Sequence, residues 1–397
     1  MKMMIKRQQN GFRFLLTGLM LLVLIVAGCS MPGSGNEADT VQVSAEDERA
    51  LLATATAKQV ACGEGHSMVL MSDGTLWATG DNQFGQLGTG DWTNRNTFTQ
   101  VLSGVKAVAC GWTDTLVLKT DGTVWGAGEN IHGELGTGNR WETGSFTQAK
   151  KEDGTPITSV VSIAICGYHS LVVRSTGSLY AAGHNGYGEI GLGDIDWVEK
   201  FTKVTNMSNI KSVACGKFFS LALDKSNNLY GTGEKPPIGA GDGSQNRFSK
   251  VRSSVKSMAC GEYFSMAVGT NNTIYATGNN DVGQFGNGTN TSTNSFIQVK
   301  TLMSPVACGE WHSLALRYGT GSLYTAGFNG YGQLGLGHTE NVSTFTKVID
   351  SGVTSIAGGY YHSLAVKGGK LYGSGSGAAI GNKYVNSTIF IPITIGS

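Results

Sequence analysis

The chain has 397 residues, of which 29 are Lys or Arg and 28 are Asp or Glu, so its net charge is close to zero. A balance this even excludes a nucleic-acid binder that relies on neutralising phosphates. Fifty-nine glycines would mark low complexity in another chain, but here they recur at regular intervals, as turn and close-packing positions do.

Residues 1–13 carry Lys2, Lys6, Arg7 and Arg13 and no acid, and Phe14 to Ala27 is an apolar run. A basic stretch followed by an apolar segment too short for a comfortable membrane span reads as an export signal. It ends in Val26-Ala27-Gly28-Cys29, which resembles the bacterial lipobox. That resemblance implies cleavage before Cys29, a diacylated cysteine and stable membrane anchoring. The expected segments are a leader over 1–28, a flexible tether over 29–55 and a folded domain over 56–397. The tether is small and polar at first, then acidic at Glu46-Asp47-Glu48. The domain is thus expected in the cell envelope, lipid-anchored on the extracytoplasmic side.

From residue 56 one pattern is spelled seven times. A Ser or Thr recurs at 67, 115, 170, 220, 265, 313 and 363, with spacings of 48, 55, 50, 45, 48 and 50. Two further markers keep step. One is the aromatic at 77, 125, 180, 230, 275, 324 and 372, and the other is the phenylalanine at 98, 146, 201, 248, 296, 345 and 390, read as opening each unit's last strand. Such periods mean solenoids, propellers or arrays. Each unit holds four strand-length runs, A to D, joined by Gly, Asn and Asp turns, and no helical period follows residue 55. Four-stranded sheets repeated radially make a β-propeller. The fold class is therefore all-β, a seven-bladed propeller of antiparallel four-stranded blades.

The words V-A-C-G-x-x-H-S-L-A-L, D-G-T-L-W and N-x-x-G-Q-L-G-x-G resemble the regulator of chromosome condensation repeat family over residues 56–397. The resemblance implies the seven-bladed fold. It says less about activity, because one scaffold hosts many functions. Guanine-nucleotide exchange is one function the family offers, and export and neutrality count against it. Secreted β-lactamase-inhibitory propellers share the fold, so inhibition of a secreted or periplasmic enzyme is another.

Repeat positions read as scaffold. The His-Ser pairs at His66, His169, His312 and His362 recur at one strand start, and Asp114, Phe219 and Phe264 replace the histidine elsewhere. Catalysis needs unlike residues converging on one place. Cys62, Cys110, Cys166, Cys215, Cys260 and Cys308 hold one position per unit, which is too far apart for disulfides. Cys166 is one residue nearer its histidine, which predicts that it faces the other way. Glu64, Glu262 and Glu310 are likewise equivalent and are expected as solvated turn residues. An envelope-polysaccharide enzyme would need paired carboxylates there. No metal cluster or cofactor motif is read; Asp194 and Asp196 are expected to be solvated.

The departures from the repeat point to a site. The A–B turn and the C–D loop must lie at one end of an up-and-down blade. The residue before the histidine position is Tyr168, Phe218, Tyr263, Trp311 or Tyr361 in five units, with Trp112 one residue away in a sixth. The C–D loops add Trp92, Trp141 and Trp197. The opposite end carries plain hairpin turns such as Asp73-Gly74 and Asp121-Gly122. An aromatic, varied rim marks a binding surface. The expectation is a monomeric, non-enzymatic binding protein that holds a macromolecule, a protein above all, on these nine aromatics. Unit four breaks the loop motif with Glu234 to Gly239. Phe390 to Ile395 is expected to supply an outer strand that closes the ring.

Overall fold

The computed structural model describes residues 55–193 and 196–396. The leader, the tether before residue 55, Cys29 and Asp194 lie outside the described residues. Among these residues, seven four-stranded antiparallel sheets follow one another along the chain, each built from four consecutive strands in the order A–B–C–D. The A strands are Ala57–Cys62, Val105–Cys110, Val160–Cys166, Ile210–Cys215, Val255–Cys260, Met303–Cys308 and Val353–Gly358. Each packs against the next, and Val353–Gly358 packs against Ala57–Cys62, so the seven A strands enclose a central axis.

Burial follows from this arrangement. The B strands are buried along their length because neighbouring blades cover both faces; His66–Met71 and Phe219–Asp224 are buried at every position, and His312–Arg317 is exposed only at its last residue. They accordingly read as continuous apolar runs rather than alternating ones. The D strands lie outermost and are half exposed, as in Ser244–Arg252.

The A strands end in small residues because seven of them converge. A Cβ on Gly309 would lie 2.4 Å from the carbonyl oxygen of Gly359, and one on Gly359 would lie 2.4 Å from that of Gly63. A Cβ on Gly63 would come within 2.5 Å of the Gly111 oxygen. Only glycine allows this approach of backbones.

The phenylalanine marker sits within the D strand rather than opening it: Phe98 is fourth in Arg95–Leu102, and Phe390 is fourth in Ser387–Ile393. Each ring packs over a glycine of the blade before. Gly335 has φ +70°, and a Cβ there would lie 2.4 Å from the Phe390 ring. The same pairing joins Gly88 to Phe146, Gly136 to Phe201 and Gly286 to Phe345. It also joins Gly381 of the last blade to Phe98 of the first.

Ser387–Ile393 is the outer strand expected, with Pro392 in it. Its ladder lies within its own blade, opposite Leu371–Gly373 and Gly375, and an isolated bridge joins Ile389 to Leu336 of the blade before. Ile391 and Ile393 pack into the core shared by the last and first blades. The first and last blades meet through packed faces like any other pair. The Thr79 hydroxyl donates to the Ala378 carbonyl at 3.2 Å, and the Val60 amide donates to Ser355 Oγ at 3.3 Å. One helical turn, Lys235–Ile238, also departs from the expectation of no helix. Pro236 and Pro237 suit its first turn, where no amide donor is needed, and buried Ile238 covers Gly231 as Leu135 covers Gly126.

The repeated histidines are staples between blades. His66 Nε2 is 3.0 Å from Thr115 Oγ1, His169 Nε2 is 2.7 Å from Ser220 Oγ and His312 Nε2 is 2.8 Å from Ser363 Oγ. His362 Nε2 meets Ser67 Oγ at 2.7 Å across the closing interface. All four rings are fully buried, and each Nδ1 has no hydrogen-bond partner. Burial pushes them down, to about 4 for His66 and His169 and about 3 for His312 and His362.

The folded protein thus favours neutral imidazoles, whereas the unfolded chain protonates them below ~6.5. Their contribution is complete above that pH and is lost as pH falls toward 4, at up to ~1.4 kcal/mol per pH unit for each ring. His312→Phe copies the residue at Phe219 and Phe264. Its melting temperature is expected to fall less between pH 7 and pH 4 than the parent's. Parallel melting curves over that range would refute the staple account.

Candidate functional site

The A–B turns meet around the axis at one end of the propeller. Backbone hydrogen bonds chain them together from blade to blade. The Lys217 amide donates to the Glu262 carbonyl at 3.1 Å, the Glu262 amide to Glu310 at 3.2 Å, and the Glu310 amide to Gly359 at 3.2 Å. The Tyr360 amide donates to Gly63 at 3.3 Å, and the Glu64 amide to Trp112 at 3.0 Å. Each blade thereby presents one equivalent residue to the mouth: Glu64, Trp112, Gly167, Lys217, Glu262, Glu310 and Tyr360 in blades one to seven. Below them lies a cavity of about 80 Å³, walled by Trp112, Glu262, Glu310 and Tyr360 and by the cysteines that end the A strands.

The next residue in each turn forms a second ring. Tyr168 stacks on Phe218 with centroids 5.5 Å apart and planes 10° apart. Phe218 lies 6.4 Å from Tyr263, and Tyr263 lies 6.0 Å from Trp311. Trp112 meets Tyr168 edge-on at 5.0 Å, and Tyr361 packs on Tyr360 at 4.0 Å. Six of the nine predicted aromatics are thus brought together as a half-buried belt around the mouth. Such ring pairs contribute ~0.5–1.5 kcal/mol each beyond their buried area.

The other three stand apart on the outer rim. Trp92, Trp141 and Trp197 are 48%, 79% and 46% exposed, which leaves much of each ring open to a partner. The Arg140 guanidinium lies 4.9 Å from the Trp197 ring and bridges to Glu199 at 3.6 Å. Ile131, Arg140, Trp141 and Glu199 line a shallow hollow there. The C–D loops that carry these residues are held from inside. In blade six, Asn329 Oδ1 accepts the Leu334 amide at 2.9 Å, and its Nδ2 donates to the His338 carbonyl at 2.8 Å.

The mouth holds a cation that the sequence reading missed. Lys217 Nζ is 2.7 Å from Glu262 Oε1. It lies 4.7 Å from the Trp112 ring centroid, 5.5 Å from that of Phe218 and 5.1 Å from that of Tyr263. Burial alone would lower its pKa, but the bond to Glu262 holds it above the ordinary lysine value. Lys217 escaped notice because its position carries a different residue type in most blades. Counting back two places from each histidine position would have found it.

The glutamates are not the solvated turn residues expected. Glu262 is 8% exposed, and Glu310 and Glu64 are half-buried. Burial pushes the Glu310 carboxyl up to about 9, and Glu262 and Glu64 add to the rise. Glu64 is also raised, by burial and then by Asp81, Glu129 and Glu262. The convergence of turns forces these acids together, so each is desolvated by its neighbours.

All six cysteines of the folded domain are free. In blade three Ile165 stands opposite Ser170, where Cys62 stands opposite Ser67, so Cys166 is displaced by one register step. Burial raises every thiol, Cys62 to about 12, so none is a thiolate nucleophile at neutral pH. Among the described residues no group of three or more His, Cys, Asp or Glu is placed to hold a metal ion.

Regulator of chromosome condensation (RCC1) repeats match residues 57–86, 105–134, 160–189, 210–234, 255–284 and 306–333, and a second profile of the same repeat matches 73–118 and 320–366. The chain belongs to the regulator of chromosome condensation repeat family. It is similar to human Protein RCC2, with 27% identity over 171 residues, which is 42% of this chain and 23% of that protein. It is also similar to the ultraviolet-B receptor UVR8 of Arabidopsis thaliana, with 29% identity over 180 residues, 44% of this chain and 41% of that one. The matched stretches thus span less than half of these relatives. Among solved structures, Prp20p from Saccharomyces cerevisiae superposes with a TM-score of 0.71 at 22% identity, covering 82% of this chain and 87% of that one. Human WBSCR16 gives 0.69 at 23% identity, covering 79% and 87%. These likenesses establish the propeller fold.

Replacing Lys217 tests the electrostatics of this repeat-family mouth. Lys217→Met leaves Glu262 buried without its cation, at a cost of ~1–3 kcal/mol. Denaturant melts of parent and variant at neutral pH measure the loss, and equal stabilities would show that the ammonium does not neutralise the ring.

Proposed function

We propose that the chain is a non-enzymatic binding protein, tethered by lipidated Cys29 outside the cell membrane, that holds a protein partner on its aromatic loop face. The observation that carries this reading is the asymmetry between the two ends. One end gathers Trp112, Tyr168, Phe218, Tyr263, Trp311 and Tyr361 around the mouth and sets Trp92, Trp141 and Trp197 exposed on its rim. Tryptophan and tyrosine anchors dominate protein interfaces. The other end presents hairpin turns whose polar groups satisfy one another, as where Asp73 Oδ1 accepts the Thr75 amide and hydroxyl. Related propellers are described with protein partners. Yeast Prp20 has been seen with Kap60, and Prp20p is described for its binding to Gsp1p and histones. The leader and lipobox support the tether.

An envelope-polysaccharide enzyme is the rival, because Glu262 and Glu310 do lie together. The cavity between them is about 80 Å³, against ~300–1,000 Å³ for ordinary small-molecule pockets. That space suits the end of one side chain.

Capture from envelope extract by the immobilised full-length chain tests the reading. Trp92, Trp141 and Trp197 are exposed, so replacing all three by Ala should leave the melting temperature unchanged. The triple variant is expected to lose about tenfold or more of the captured partner, since an anchor is worth ~2 kcal/mol or more. Equal capture would move the interface off this face. Separately, Cys29→Ser is expected to shift the protein from the membrane to the soluble fraction; retention at the membrane would refute the lipid anchor.

A further inference from the structure

We propose that the channel mouth is a cage for one guest cation, the guanidinium or ammonium at the tip of an arginine- or lysine-bearing loop of the protein partner, which takes the place of Lys217. The inference rests on the reading that this face binds a protein, and it names the chemistry the partner must bring.

Three observations converge. The inner ring is rich in acid: Glu64, Glu262 and Glu310 occupy three of its seven positions, and Glu129 and Asp81 add their fields to Glu64. Lys217 is near enough to oppose the rise of Glu310. It is already committed to Glu262, and among the described residues Glu64 and Glu310 form no ion pair. Burial keeps Glu310 protonated, and a second cation beside it would draw that proton off. The walls are aromatic, and a cation placed among such rings gains ~0.5–2 kcal/mol as it is desolvated. Finally, Lys217 itself rests against Trp112, Phe218 and Tyr263, so the site holds an ammonium in the folded chain. Its long, flexible stem can withdraw without disturbing the backbone chain of turns. The cavity beneath, lined by Trp112, Glu262 and Glu310, admits a single side-chain end, which favours a loop tip over a bulky ligand.

Disulfide-closed peptides presenting Arg, Gln or Glu at the tip of a Gly-Ser loop test the proposal. They would be titrated into the full-length chain in non-ionic detergent, with the fluorescence of Trp112 and Trp311 as readout. The Arg peptide is expected to bind about tenfold or more tighter than the Gln peptide, and the Glu peptide to bind least. The variants move in opposite directions. Glu64→Gln and Glu310→Gln should weaken the Arg peptide about three- to tenfold. Lys217→Gln should tighten it by a similar factor, because the resident competitor is gone and the amide preserves the fold. Melting curves confirm that each variant is folded. Equal binding of Arg and Gln peptides, or weaker binding to Lys217→Gln, would overturn the cage. If envelope capture depends on the rim tryptophans while the Arg peptide binds no better than Gln, the face binds a protein and the cage alone falls.

Discussion

Seven strands must reach one axis, and the space they leave one another dictates much else in the molecule. Backbones approach so closely at Gly63, Gly309 and Gly359 that a methyl group would collide with the neighbouring carbonyl. The same crowding brings the following turns within hydrogen-bonding distance, so that amide meets carbonyl from blade to blade. Once those turns are fixed, the residue each presents to the mouth has little freedom. The electrostatics of the mouth therefore descend from a packing constraint at the level of Cα atoms. Acids that would be unremarkable on separate hairpins become desolvated neighbours, and one lysine is drawn in among them.

Between blades, the chain uses two devices of different chemistry. A phenylalanine over a glycine fills the outer part of each interface without any polar requirement. A histidine bonded to a hydroxyl joins the inner part in four interfaces, and each ring is buried with one nitrogen bare. A buried polar group is favourable only when its partner is present, so these bonds favour the correct mating of blades over slipped alternatives. Where Phe219 and Phe264 replace the histidine, the interface is apolar and the following serine turns to a carbonyl, as Ser265 does toward Pro237. Both solutions fit the same backbone, so histidine and phenylalanine can share the position.

The architecture was legible because it is repeated. The Ser marker at 67 to 363, the aromatic at 77 to 372 and the phenylalanine at 98 to 390 each recur for a steric reason that operates in every blade. The belt could be found for a related reason, since five aromatics share one offset from a repeated residue. The inner ring could not, because Glu, Trp, Gly, Lys, Glu, Glu and Tyr share no property that a periodic search detects. Nor does a single hairpin reveal that Glu262 is buried; its burial comes from turns contributed by other blades. Closure was only partly legible for the same reason. A terminal strand suggests a clasp, but the meeting of His362 with Ser67 and of Gly381 with Phe98 needs both ends of the chain in view.

Each sheet is one uninterrupted stretch of chain, and no strand is lent to a neighbour. The continuous hydrogen-bond ladders therefore stay within their blades, with only isolated bridges such as Thr89 to Ser145 between them, and the unit of folding geometry coincides with the unit of sequence. A gene of this kind can gain or lose a whole repeat by unequal recombination without breaking a ladder, leaving only curvature to be readjusted. By the same logic the boundary between the first and last blades carries no special duty in any sheet. A start and stop moved to any other boundary between blades would leave every sheet whole, so the molecule is, in topological terms, a circle that happens to be cut once.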